Sequence, residues 1–193
     1  AEVFSPKIRE QLCPEKLSGE GWLQVMREAH NLGLHSNATM LYGHVETPED
    51  RINHLIKLRE LQDETGGFMS FIPLAFHPKN TDLSNHFGTT AMLDLKVISI
   101  SRLMLDNFDH IKAFWIMLGI KLSQISLSFG VDDIDGTVKE EKITHAAGAE
   151  TPEALSVHEI IKLIKEAGRE PVERDTLYNP VKRHQKNIVL QKV

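Results

Sequence analysis

One cysteine in 193 residues is the first constraint. A lone Cys13 excludes an intrachain disulfide framework and any cluster held by several thiolates of this chain. Long hydrophobic runs are missing too, since no apolar stretch approaches the roughly 20 residues of a membrane span. The segment from Ala1 to Glu10 has neither the basic nor the apolar region of a secretory signal. Positive charge is scarce: Lys+Arg number 22 against 27 Asp+Glu, a net charge of −5. Nucleic-acid binding would need a basic patch or stripe. There is no P-loop, GxGxxG or GxSxG, and no HxH or HExxH pair. A soluble cytoplasmic protein that binds a small molecule, with no nucleic acid and no membrane as partner, is the expectation.

Apolar runs and amphipathic stretches alternate along the chain. Ser18 is placed to cap a helix in which Trp22, Leu23, Val25, Met26 and Ala29 recur at helical spacing until Gly33. Leu34 to Tyr42 reads as a strand. Thr47-Pro48-Glu49-Asp50 opens the next helix with a cap, a first-turn proline and acids on the positive dipole end. Its apolar face is Ile52, Leu55, Ile56, Leu58 and Leu61, and Gly66-Gly67 stops it. Phe68 to Phe76 is a second strand. A long helix is expected from about Thr89 to Asn107, carrying Met92, Leu95, Ile98, Leu103 and Met104. A third strand is expected over Ile111 to Leu118, a helix over Lys121 to Phe129, a short strand over Val131 to Thr137 and a helix over Pro152 to Ala167.

Strands buried on both faces and alternating with helices imply α/β architecture with a parallel sheet. The loops after strands hold Tyr42-Gly43-His44-Val45-Glu46, His77-Pro78-Lys79-Asn80 and Asp133-Ile134-Asp135-Gly136-Thr137, whereas the opposite turns are plainer, as at Asp109-His110. That asymmetry suits a (β/α) barrel, whose chemistry gathers at the carboxyl ends of its strands. A complete barrel usually needs about 250 residues. The chain therefore reads as the C-terminal part of a TIM-type barrel of about five βα units over residues 1–168, with a polar tail over 169–193.

His44, His77 and His145 fall on the loop face with Asp133 and Asp135, as a metal-dependent hydrolase would require. Without tight ligand spacing they serve equally well as hydrogen-bonding groups. Alternation sends either Asn37, Thr39 and Leu41 or Ser36, Ala38 and Met40 into the barrel. Glu140-Glu141-Lys142 reads as a solvated charge run, and Cys13 as an inert thiol.

Several stretches together carry a resemblance. They are Ser36-Asn37-Ala38-Thr39-Met40-Leu41-Tyr42-Gly43-His44, Leu58-Arg59-Glu60-Leu61-Gln62-Asp63-Glu64-Thr65-Gly66-Gly67-Phe68, Phe71-Ile72-Pro73-Leu74-Ala75-Phe76-His77-Pro78 and Asp135-Gly136-Thr137-Val138-Lys139-Glu140-Glu141. The chain resembles the aminofutalosine synthase family of radical S-adenosylmethionine enzymes, from the futalosine route to menaquinone. Dehypoxanthine futalosine cyclase, a deazaflavin synthase subunit and the tyrosine lyase of thiamine synthesis are its relatives. The resemblance implies S-adenosylmethionine and a four-iron, four-sulfur cluster as cofactors of a full-length enzyme. It also implies addition of the 5′-deoxyadenosyl radical to 3-((1-carboxyvinyl)oxy)benzoate. Such enzymes hold the cluster on a CxxxCxxC loop that is absent from these 193 residues. The expectation is a C-terminal fragment, inactive alone, paired with the missing N-terminal half or with a second copy through an exposed sheet edge. By the same resemblance Glu2 would face S-adenosylmethionine or substrate. Thr39, Tyr42, His44 and Glu46 would line the pocket, His77 and Asn80 would bind substrate carboxylates, and Asp133, Asp135 and Thr137 would end the last strand. A metal-dependent hydrolase and a non-catalytic binding module remain the alternatives.

Overall fold

A computed structural model describes residues 2–138 and 154–184; His145 and the charge run at 140–142 lie outside them. Ser18 accepts a hydrogen bond from the Gly21 amide and starts α2 (Gly19–Asn31), which follows α1 (Pro6–Leu12). β1 (Ser36–Tyr42) leads to α3 (Pro48–Thr65), whose start is a reciprocal capping box between Thr47 and Asp50. Gly66, at φ +60°, ends it in the left-handed conformation that glycine adopts without strain. β2 (Phe68–Ala75), α4 (Ala91–Met104), β3 (His110–Ala113), α5 (Trp115–Leu118), α6 (Ile120–Ser126) and β4 (Asp133–Ile134) follow. The described chain closes with α7 (Val157–Glu166) and the antiparallel pair β5 (Val172–Arg174) and β6 (Pro180–Arg183).

The main sheet is parallel in the order β1-β2-β3-β4. Neighbours in space are thus neighbours in sequence, as in one arc of a barrel; doubly wound sheets reverse their order partway. Glu2 makes a parallel bridge to Leu41 on the free side of β1. Four open strands are present, and closure into a ring is not seen among the described residues.

The parity left open by the sequence is decided here. Ala38, Met40 and Tyr42 are fully buried on the helix side, level with Phe71, and form one core with Leu55, Leu58, Leu61 and Ile98. Asn37, Thr39 and Leu41 sit on the other face, in register with Ser70, Ile72 and Leu74, and remain at least partly open. Register then places His110 beside Ser70, and alternation places Lys112 on the same open face, opposite Asp133.

Several expected elements differ. The apolar run Ile111 to Leu118 is a strand only as far as Ala113; Trp115 starts a helical turn and donates from Nε1 to the Gly136 carbonyl at 3.0 Å. A short fully buried run reads alike as strand or helix, and here β4 offers only two pairing residues. α4 buries Asp94, Val97, Ile98 and Ser101, while Met92 and Leu103 are exposed. α3 turns His54 and Gln62 inward and leaves Ile56 partly exposed. In both helices a polar side chain with a partner on another element takes a place that hydrophobic periodicity assigns to an aliphatic one. The tail includes the β5–β6 pair, which packs against β3 and β4: the Tyr178 ring stacks on His110 at 4.1 Å, and Arg174 pairs with Asp133. No helix among the described residues is long and apolar enough to cross a membrane.

Candidate functional site

The strand-end residues fall into three groups. At the end of β1, Tyr42 belongs to the helix side and lines no open pocket. Its hydroxyl donates to Asp94 Oδ1 at 2.8 Å. Burial pushes the Tyr42 hydroxyl up, and Asp94 beside it adds to the shift. Burial also raises the Asp94 carboxyl, partly offset by hydrogen bonds from Tyr42 and Thr89. Tyr42→Phe leaves a buried acceptor short of its donor and is expected to cost about 1–3 kcal/mol. A lowered urea midpoint with an unchanged slope would register that loss; an unmoved midpoint would refute it.

His44 and Glu46 are also turned into the protein, with side chains at 0% exposure. Glu46 accepts the Gly43 amide at 2.7 Å and the His44 amide at 2.9 Å, and Arg51 pairs with it at 2.5 Å. His44 Nε2 donates to the Leu41 carbonyl at 3.0 Å, and Nδ1 accepts the Val45 amide at 2.8 Å. Burial holds this imidazole below its ordinary range despite the nearby Glu46 carboxylate. Glu46 Oε2 also lies 3.0 Å from Nδ1, so the ring and the carboxylate are packed together inside the loop. Both residues shape the loop after β1 instead of reaching into open space. Of the β1 set only Thr39 stays on the open face, half-buried. Glu2 lies beside β1 with its carboxylate on Lys16 at 2.7 Å and Arg9 at 3.8 Å. Burial raises this carboxyl, but the Lys16 hydrogen bond, the backbone and the Lys16 charge bring it net below its usual value.

The second group surrounds a cavity of about 550 Å³ lined by His77, Thr89, Asp94, Met117, Gly119 and Lys121 among others. His77 Nε2 donates to the Met117 carbonyl at 2.9 Å. That ring nitrogen is therefore engaged by the backbone, and a ligand would have to meet His77 through Nδ1. Asn80 is exposed at φ +63° in the loop between β2 and α4, and it is not among the residues of this cavity.

Asp133, Asp135 and Thr137 do come together, in a cavity of about 980 Å³ between β4, α7 and the β5–β6 pair. Ile160 and Ile164 of α7 give it an apolar wall. Asp133 is held by Arg174, whose Nε lies 3.1 Å from Oδ2. Lys112 Nζ lies 3.2 Å from Asp135 Oδ1 and 4.0 Å from Asp133 Oδ2. His110 Nδ1 and Asp132 Oδ2 are 2.6 Å apart, and Arg102 joins Asp132 at 2.7 Å. Lys112, His110, Arg174 and Tyr178 were missed from the sequence, where Asp109-His110 counted among the plain turns. For His110 and Lys112 a signal was present: they alternate with Ile111 and Ala113, which marks a polar face on an otherwise apolar strand.

Among the described residues no three of His, Cys, Asp and Glu are grouped to hold a metal ion. A four-iron cluster fares no better with this chain's residues, for it needs several thiolates. Cys13 is alone and buried, and burial and then the Glu2 carboxylate push its thiol up, away from the thiolate. The one strand-end acid carried over for S-adenosylmethionine, Glu2, is already committed to Lys16 and Arg9.

A four-stranded parallel sheet in sequential order, with its helices against one face and polar residues at its strand ends, defines a mixed α/β class consistent with part of a TIM-type fold, with an open face of mixed polarity. Within that class, the chain belongs to the family described as the CofH/MqnC C-terminal region, whose model matches residues 65–187. It is 52% identical to aminodeoxyfutalosine synthase of Thermus thermophilus over 186 residues, which are 94% of this chain and 50% of that protein. It is 44% identical to 5-amino-6-(D-ribitylamino)uracil--L-tyrosine 4-hydroxyphenyl transferase 1 of Methanosarcina barkeri over 189 residues, 94% of this chain and 50% of that one. With the corresponding transferase of Methanopyrus kandleri the identity is 43% over 187 residues, covering 94% and 51%. The chain thus spans about half the length of the curated relatives it matches.

Proposed function

We propose that this chain is the substrate-binding C-terminal part of a radical S-adenosylmethionine enzyme of the aminodeoxyfutalosine synthase type. The observation that carries the choice is the 52% identity to aminodeoxyfutalosine synthase against 44% to the tyrosine 4-hydroxyphenyl transferase, over nearly the same span. The cluster and S-adenosylmethionine would supply the 5′-deoxyadenosyl radical in a longer protein. The residues here would bind and orient 3-((1-carboxyvinyl)oxy)benzoate and keep water out, which is the protein's share of cofactor chemistry.

Residues 1–168 form the barrel part in this reading, and 169–193 an extension whose β5–β6 pair covers one end of the open face. The rest of the ring is the partner: a further parallel strand would pair with the outer edge of β4, and a strand ending near Glu2, which bridges Leu41, would lie beside β1. A second copy meeting the same edges is the competing partner. Cytoplasmic residence fits the chemistry.

The intact protein, reduced and supplied with S-adenosylmethionine, is expected to convert 3-((1-carboxyvinyl)oxy)benzoate to aminodeoxyfutalosine. Inertness toward that substrate, with turnover of tyrosine and 5-amino-6-(D-ribitylamino)uracil instead, would move the protein to the other branch of its relatives.

A further inference from the structure

Strands β1 to β4 contain one lysine or arginine, Lys112, and register places it on the open face. Its side chain is 10% exposed. An ammonium carries three N–H donors. Among the described residues one hydrogen bond is made, to Asp135 at 3.2 Å, while Asp133 stands off at 4.0 Å. So largely buried a donor ordinarily has more of its hydrogen bonds made, because a desolvated and unused N–H is costly.

The second observation explains where that ammonium leans. Arg174 reaches in from β5 and binds Asp133 through Nε and Nη2. Its guanidinium lies over the Tyr178 ring at 3.9 Å, and that ring is stacked on His110 at 4.1 Å. Asp133 is therefore claimed from the β5–β6 side. Lys112 is left to Asp135, two residues further toward the carboxyl end of β4. Two cations and two carboxylates balance, so the resting group is neutral and stable. An arriving carboxylate would still find ammonium donors unused by this group, and charge-assisted hydrogen bonds of that kind are among the strong ones.

We propose that Lys112 anchors a carboxylate of the substrate on the open face, and that Arg174 is the positioning residue that directs it by occupying Asp133. The proposal rests on the functional reading above for the identity of that substrate. In the intact protein, Lys112→Met is expected to raise KM for 3-((1-carboxyvinyl)oxy)benzoate by about tenfold or more, the worth of one charge-assisted hydrogen bond. Arg174→Met is expected to raise KM by roughly threefold to tenfold with kcat little changed, and Arg174→Lys to recover most of the loss, because the cation on Asp133 returns. A merely structural arginine would not split KM from kcat in this way. Unchanged KM in Lys112→Met overturns the proposal, and Lys112→Gln serves if the methionine variant fails to fold.

Should the intact protein refuse that substrate, the functional reading fails, and Lys112 is judged separately on this chain with sodium benzoate as the probe. Saturable shifts of the Lys112 and Asp135 amide resonances, lost in Lys112→Gln, are expected. A response that sodium chloride reproduces, or that survives the substitution, contradicts a carboxylate site.

Discussion

Glu46→Ala is expected to destabilise the protein by about 3–5 kcal/mol, the range for removing one partner of a buried ion pair. The Glu46 side chain is fully buried and accepts hydrogen bonds from two successive amides, Gly43 and His44, while Arg51 pairs with the same carboxylate. Alanine strands all three donors at once. Gly43, at φ +88°, leaves the loop little freedom to rearrange, since a Cβ there would meet the Thr89 side chain. Glu46→Gln keeps the shape and one acceptor oxygen, so about 1–2 kcal/mol is expected from the lost charge-assisted bonds. Urea unfolding of the three proteins measures the series. A loss below about 1 kcal/mol for alanine would return Glu46 to the role of a pocket residue free of structural duty.

Acid sensitivity from His54 is the second large effect. The ring is 1% exposed, stacked on Phe4 with centroids 4.0 Å apart, and Nε2 donates to the Thr39 carbonyl at 3.2 Å. Burial pushes its pKa down to about 3 from an ordinary 6.5. The folded state thus binds the proton less readily than the unfolded chain. The stability is complete above pH 6.5 and is lost as pH falls toward 3. The slope is about 1.4 kcal/mol per pH unit, or roughly 2–3 kcal/mol between pH 6.5 and 4.5. Burial lowers His30 and His44 in the same direction. Urea midpoints at pH 7.5, 5.5 and 4.5 read this window before most carboxylates titrate. His54→Gln is expected to flatten the profile relative to the parent, and parallel profiles would show that His54 is protonated without penalty.

These residues also show what the sequence could and could not carry. The Ser18 cap, the Thr47–Asp50 box and the stop at Gly66 are local chemistry, and α2 and α3 begin and end where that chemistry predicts. The strands β1 and β2 follow from apolar runs bounded by polar turns. The inward faces of α3 and α4 did not follow, because His54, Gln62, Asp94 and Ser101 occupy buried places as polar groups. A hydrophobicity pattern is blind to a donor whose acceptor lies on another strand. For the same reason His44 and Glu46 looked like pocket residues: their types and position suit a ligand, and only the fold shows their atoms spent on the backbone of their own loop. Asp133, Asp135 and Thr137 were legible as a group, since one short strand and its loop carry them together. Arg174 and Tyr178 were not, because nothing local announces that a polar tail folds back onto β3 and β4.

In the proposed function the open face bearing Thr39, Ile72, Lys112 and Asp135 holds the substrate. A crystal structure of the intact protein with 3-((1-carboxyvinyl)oxy)benzoate bound would locate it. The ligand is expected on that face, with a carboxylate on the Lys112 ammonium. A ligand seated on the helix side of the sheet, or in the cavity beside His77 with Lys112 still paired only to Asp135, would contradict it.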